Sequence, residues 1–287
     1  MTSLSINLSL LIILLLPAVA PAQTDVSLFF KKGNQKQIEF VESESGNLYS
    51  KLGHHGPAIE NPWYGLRLYF SKKTAVDVYS KAQRRMELRE KQWYPSKKEQ
   101  LDGWGADYYK VGKSVGLGGV KLWDDGQIMD LHPVSRRVAS VKHYGDSASM
   151  RMVSEGVPYK GRKVDISVLV TVFADRRVTK VEASCISGED VQFVTGINYF
   201  DNLEIKKTEQ YIATWGIHPE DVAAEKVEVG AAIFIPQGID LKTQKFENQY
   251  IMISDLRKNL KFRITSANKR EAGIHTMDDF IDLLTQD

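Results

Sequence analysis

The chain is almost without cysteine. Cys185 is the only one in 287 residues, so no disulfide forms within the chain and its stability must come from packing. Cys185 lies in a strand-like run and reads as a buried, inert thiol. Excess charge is missing too: 38 Lys and Arg face 36 Asp and Glu, a net +2. That balance argues against a bulk nucleic-acid binder, though it leaves room for a local basic cleft. Long apolar runs are absent; the strongest, residues 8–16, is too short to span a bilayer comfortably. The 6 histidines form no HxH, HxxxH or HExxH spacing, so no dedicated metal site is expected. Gly116-Leu117-Gly118-Gly119 lacks the GxxxxGK[ST] pattern and any surrounding βαβ unit, which excludes a phosphate loop. There is no GxSxG elbow. No cofactor is expected.

Residues 1–22 read as an export signal. The apolar run precedes Ala18-Val19-Ala20-Pro21-Ala22, small residues suited to cleavage after Ala22. The usual basic start is missing, because residues 1–7 hold no Lys or Arg; an uncleaved N-terminal anchor is the alternative. The expectation is an exported protein, periplasmic or extracellular, with no membrane contact after signal removal. Residues 23–287 have no linker-like boundary or internal repeat and are expected to form a single domain.

Short strand-like runs dominate. A first hairpin is expected from 26–31 and 37–41, joined by Lys32-Gly33-Asn34. Runs 66–70 and 75–79 alternate apolar and polar residues around the turn 71–74. Residues 81–91 are charge-rich, a short exposed helix or an extended excursion. A regular series follows at 134–143, 149–154, 164–173, 178–186, 191–195, 210–214, 226–235, 249–254 and 260–265. Only the end is helical, over 276–284, with Thr276 as cap and Asp278 and Asp279 in the first turn. Such spacing predicts an all-β chain. The expected fold is a large antiparallel β-sandwich, supersandwich-like, with a short C-terminal helix.

The densest chemistry is in residues 103–126, which hold seven of the 21 glycines, Trp104, Trp123, Tyr108 and Tyr109. Glycines permit tight turns and close backbone approach, and aromatic rings offer flat faces with polar handles. Together they suggest a loop system lining a site. Asp124-Asp125-Gly126 reads as a hairpin turn. His54-His55 lie in a Gly/Pro-rich loop and read as solvated.

Val76-Asp77-Val78-Tyr79-Ser80-Lys81, Gln92-Trp93-Tyr94, Gly105-Ala106-Asp107-Tyr108-Tyr109-Lys110-Val111-Gly112, Gly118-Gly119 and Trp123-Asp124-Asp125-Gly126 carry a family resemblance. This set resembles a family of secreted Bacteroidetes domains of unknown function that includes an oligosaccharide dehydratase of ulvan breakdown. The family often has a Tyr-His pair before its Gly-rich block. Here residues 94–102 hold Tyr94 but no His, and the chain is shorter than many members.

The resemblance implies a carbohydrate-active lyase or dehydratase acting by β-elimination on uronic-acid-containing oligosaccharides. Elimination needs a base for the C5 proton, an acid for the group leaving C4, and a partner for the developing charge. Tyr108 or Tyr109, with His132 and His143, are the proton-transfer candidates; Arg67 and Arg151 are the carboxylate candidates. Asp107 and Lys110 would orient or polarise, and Trp104, Trp123 and Tyr64 would contact an oligosaccharide or polysaccharide ligand. The alternative is a non-catalytic glycan-binding protein of a polysaccharide-utilisation system. A glycoside hydrolase would need two carboxylates across a cleft.

Overall fold

The computed structural model describes residues 23–91, 94–219 and 223–286. The expected signal, residues 1–22, and Gln92-Trp93 lie outside the described residues. In chain order the first strands are β1 (Asp25–Ser27), β2 (Phe40–Ser43), β3 (Ala58–Glu60), β4 (Tyr64–Leu68), β5 (Val76–Ser80), β6 (Lys121–Asp124) and β7 (Gln127–Met129). Then come β8 (Arg136–His143), β9 (Ser147–Tyr159), β10 (Arg162–Phe173), β11 (Thr179–Cys185), β12 (Val191–Asn198) and β13 (Glu204–Lys207). The last are β14 (Tyr211–Gly216), β15 (Val229–Phe234), β16 (Leu241–Phe246), β17 (Gln249–Arg257) and β18 (Asn259–Asn268). Among the described residues the α-helices are α1 (Lys97–Leu101) and α2 (Met277–Gln286). The chain is all-β, as its alternation predicts.

Among the described residues three antiparallel sheets form. The largest runs β13-β14-β15-β18-β11-β10-β9-β8-β2, the second β16-β17-β12-β6-β7, and the smallest β1-β3-β4-β5. Period-2 patterning decides what each face buries. On β10, Val164, Ile166, Val168, Val170 and Val172 all point into the core. They share one core with Leu66, Leu68, Val76 and Val78 of the small sheet and Phe193 and Ile197 of the second. The large sheet is therefore one layer, and the two smaller sheets together are the other. On its opposite face, α2 lays Phe280, Ile281 and Leu284 over Tyr211, Trp215 and Phe234. Thr276 caps α2: its hydroxyl accepts the Asp279 N–H at 3.2 Å, and the Asp279 carboxylate accepts the Thr276 N–H at 2.9 Å.

Two expectations change. β1 and β2 do not form a hairpin. They diverge after one backbone hydrogen bond, Ile38 N–H to Leu28 O at 2.8 Å, because β1 pairs with β3 and β2 completes the edge beside β8. Residues 81–91 form no helix, and Lys81, Glu87 and Leu88 are buried. The charges of Lys81 and Glu87 turn inward, onto the outer face of the small sheet, where they meet Glu60 and Tyr79.

The glycine block splices the two smaller sheets. Val76 N–H donates to Val115 O at 3.1 Å, Leu117 N–H to Val76 O at 2.9 Å, and Gly118 N–H to Gly196 O at 2.9 Å. Ala106 pairs with Ser80 in both directions. The free edge of β5 is thus closed at both ends, and the chain passes on to β12. Contact this close demands glycine: a Cβ on Gly116, at φ +72°, would lie 1.9 Å from Val76 O. Asp125-Gly126, at φ +45° and +77°, makes the expected tight turn from β6 to β7.

Gly116→Ala should destabilise the protein by about 3 kcal/mol, through backbone collision and left-handed strain together. Gly126→Ala, with nothing within 4 Å, should cost only about 1–2 kcal/mol. Urea unfolding of both variants measures the difference.

Candidate functional site

Register places the chemistry. In the small sheet Ala58 stands opposite Arg67 and Arg67 opposite Asp77, while Glu60, Gly65 and Tyr79 form the next row on that face. These side chains point away from the main core, yet they are buried, because residues 81–91 and 94–107 fold over them. Gly65 makes room for the cover: a Cβ there would lie 2.8 Å from Leu88 Cδ1.

Arg67 is the centre. The residue is 1% exposed. It donates to Asp77 Oδ2 at 2.7 Å and forms a second, closer ion pair with Asp107. The Ala106–Ser80 bridge is what carries Asp107 over the sheet. Burial opposes the charge on Arg67, but Asp107 and Asp77 outweigh it and hold its pKa well above the ordinary value. The Tyr69 hydroxyl donates to Asp77 Oδ2 at 2.6 Å. One row along, Glu60 pairs with Lys81 and accepts the N–H groups of Glu87 and Leu88. Glu87 in turn accepts the Tyr79 hydroxyl at 2.7 Å and the Gly105 N–H at 2.8 Å. Burial first, then the adjacent carboxylate, raises the pKa of both Tyr69 and Tyr79.

Above this floor stand Tyr94 and His55. Tyr94 precedes α1, whose N-terminus is fixed by a Ser96–Glu99 capping box and whose Gln100 amide returns to Pro95 O at 2.8 Å. The Tyr94 ring lies over Arg67, with Cζ 5.3 Å from its centre. His55 comes from the loop before β3, where His54 and His55 both have left-handed backbones, φ +51° and +60°. Its imidazole stacks on Tyr49, centroids 3.8 Å apart. His55 Nδ1 lies 3.0 Å from Tyr49 O. A carbonyl only accepts, so Nδ1 carries the proton and Nε2 keeps its lone pair. That nitrogen faces the Tyr94 hydroxyl at 3.5 Å. Burial lowers His55 to about 4, with Lys31 and Arg67 adding to the drop and the Tyr49 hydrogen bond opposing it. Burial also raises Tyr94, while Arg67 pulls the other way.

Of the residues singled out from sequence, Arg67 and Asp107 meet. Tyr108 follows Asp107, its hydroxyl accepting from Arg270 at 3.1 Å. Lys110 is half-buried, its N–H on His218 Nδ1 at 3.2 Å. Tyr109 is fully buried and accepts the Asn198 N–H at 2.9 Å. Tyr64 is in the main core, donating to Arg177 O at 2.7 Å. Trp104 carries Arg85 and Lys91 against its ring, each 3.9 Å from the centre. Trp123 packs against Phe246 on the outer face of the second sheet. His132 is exposed after β7, and His143 is exposed at the end of β8. Arg151 is on the outer face of the large sheet, its Nε on Ser167 at 2.8 Å. The structure does not bring His132, His143 and Arg151 to Arg67.

Sequence reading missed Asp77, Tyr94 and His55. A signal existed for Asp77: one charged residue interrupts each of two apolar strands joined by a short turn, and pairing across that turn sets 67 against 77. His54 and His55 were expected in solvent. Instead Gly53 and Gly56 pull their loop against the Phe29 ring and Leu68 O, where any Cβ would come within 2.1 Å. His54 is buried with Nε2 on Leu88 O at 3.0 Å, and His55 is half-buried.

Among the described residues, no three His, Cys, Asp or Glu gather in a way that could hold a metal ion. No helix among them is long and apolar enough to cross a membrane. The family described as "Domain of unknown function (DUF4861)" matches residues 17–287. The chain belongs to that family. No curated protein matches it. Among solved structures, a "putative aldose 1-epimerase" from Klebsiella pneumoniae subsp. pneumoniae MGH 78578 is similar at 10% identity, with 92% of this chain and 94% of that chain covered and a TM-score of 0.37.

His54 is held neutral by burial and by Arg67, its pKa lowered to about 3. The unfolded chain binds that proton near pH 6.5, so stability is complete above pH 6.5 and falls as pH drops toward 3. The expected slope is about 1.4 kcal/mol per pH unit for one such histidine. His54→Asn, which suits a left-handed backbone, should flatten the dependence by that amount in urea unfolding between pH 7 and 4.5.

Proposed function

We propose that this protein is an exported carbohydrate-active lyase, working by β-elimination on uronic-acid-containing oligosaccharides in the periplasm or outside the cell. The observation that carries the reading is the Tyr94 hydroxyl set against the His55 Nε2 lone pair, above Arg67. The resemblance to a family with an oligosaccharide dehydratase supports the same class of chemistry.

Each atom has a task. His55 Nε2 takes the proton from C5, beside the uronate carboxylate. The C5 electron pair forms the C4–C5 double bond, and the C4–O bond breaks. The Tyr94 hydroxyl protonates the departing oxygen, leaving a phenolate beside Arg67. The imidazolium then returns its proton to that phenolate across the existing contact, and both groups are restored. Lys31 is close enough for its charge to depress His55, and it brings positive potential to the side where a carboxylate would bind.

The test is incubation of folded protein with ulvan, pectin and glycosaminoglycan oligosaccharides, following the absorbance of unsaturated uronate. Product should form, and Tyr94→Phe should lower kcat by about 10²–10⁴-fold. In the wild type, kcat/KM should fall as pH drops through about 4, where His55 of the free protein becomes protonated. No unsaturated product from any of the three would overturn elimination. Saturable binding without product would favour the non-catalytic glycan-binding reading.

A further inference from the structure

Asp107 has a second side. Away from Arg67 it lines a cavity of about 310 Å³, together with Lys97, Tyr108, His218, Glu225 and Lys226. That volume is at the small end of ligand sites, enough for one ring rather than an extended chain.

His218 marks this cavity as more than a packing gap. The residue is 5% exposed. Its Nδ1 accepts the Lys110 N–H at 3.2 Å, which fixes the neutral tautomer and puts the remaining proton on Nε2. Nε2 is buried without a hydrogen-bond partner. A buried unmade hydrogen bond costs about 1–3 kcal/mol, and a ligand acceptor would recover it. The ring cannot swing away, because Tyr109 and Phe200 pack against it at 4.6 and 5.3 Å. Tyr108 adds a directed donor: its oxygen accepts from Arg270 at 3.1 Å, so its own proton is free to point elsewhere.

The geometry points to a subsite for one uncharged, polyhydroxylated ring: the sugar next to the uronate in an oligosaccharide. His218 Nε2–H and the Tyr108 hydroxyl donate to ring or linkage oxygens, and Asp107 accepts from a sugar hydroxyl. Two cations, Lys97 and Lys226, are matched by two carboxylates, Asp107 and Glu225, so the wall carries no net charge to draw an anionic ring. Asp107 thereby joins the two parts, touching Arg67 on one side and the neighbouring sugar on the other. This assignment rests on the elimination reading for the position of the uronate, though the cavity and its donors stand without it.

Calorimetry on the Tyr94→Phe background tests it, using a glycosaminoglycan disaccharide (a uronate joined to an N-acetylhexosamine) and a pectin disaccharide of two uronates. The first should bind about tenfold more tightly. His218→Asn keeps an acceptor for Lys110 N–H but loses the Nε2 donor. Tyr108→Phe loses the hydroxyl. Each should weaken the glycosaminoglycan disaccharide about tenfold while thermal unfolding stays cooperative. Equal affinity before and after both substitutions, a preference for the double uronate, or no saturable binding of either disaccharide would overturn the subsite. The absorbance assay is independent of these results: product with unchanged affinities sinks the subsite alone, and donor-dependent binding without product sinks elimination alone.

Discussion

The structure depends on one buried cation. Arg67 sits in an inner strand of the small sheet and holds Asp77 from the next strand and Asp107 from the glycine block. Stripping water from such groups costs several kcal/mol per ion, and removing a single partner from a buried ion pair costs about 3–5 kcal/mol. The arrangement is tolerable only because all three charges arrive together. β4 supplies the guanidinium, β5 supplies the first carboxylate, and the Ala106–Ser80 bridge brings in the second. The cluster therefore ties the covering segment to the sheet more specifically than an apolar contact would, since a register slip of one residue would leave a bare charge in the interior.

That constraint explains the glycines. Bringing residues 105–118 alongside β5 requires backbone contact with Ser80 and Val76 at distances no Cβ allows. The same contact carries the chain across to Gly196, so a single device splices two sheets and delivers Asp107. The glycines of this block serve those close approaches, and they fix a floor on which Tyr94 and His55 rest.

Much of the fold was legible because it is written in local period. On β10 a branched apolar residue recurs at every second position from Val164 to Val172, Asp125-Gly126 has the turn chemistry its φ values need, and Thr276 with Asp279 makes the cap it suggests. β13 and β16, by contrast, were hidden. Both are edge strands with lysines (Lys206, Lys207, Lys242, Lys245), and edges are kept polar against stray pairing. The candidate site was only partly legible. Arg67 and Asp107 could be singled out as charges in apolar or glycine-rich surroundings. His55 could not, because nothing local to a GHHG loop reveals that its glycines press against Phe29 and Leu68, or that His55 meets Tyr94, 39 residues further along the chain. Tyr94 and His55 are far apart in sequence and meet only in space, from two loops.

The tyrosines of this face show why that pair differs from its neighbours. Tyr69 and Tyr79 donate to Asp77 and Glu87, charged acceptors that are already committed to holding the fold. Moving either proton would place two negative groups side by side out of water, so these hydroxyls are locked. Tyr94 faces a neutral imidazole instead. Burial pushes the two pKa values apart, the phenol up and the imidazole down to about 4. At neutral pH the phenol keeps its proton and the imidazole keeps its lone pair, which are the states an acid and a base must have before an elimination begins. The cost is that both are intrinsically weak in these roles. A uronate carboxylate at the site would offset that cost, because a negative charge nearby favours protonated imidazole, and Arg67 beneath the ring stabilises the phenolate. The buried cation that organises the fold is therefore also the group positioned to lower the energy of the one charged tyrosine the reaction would create.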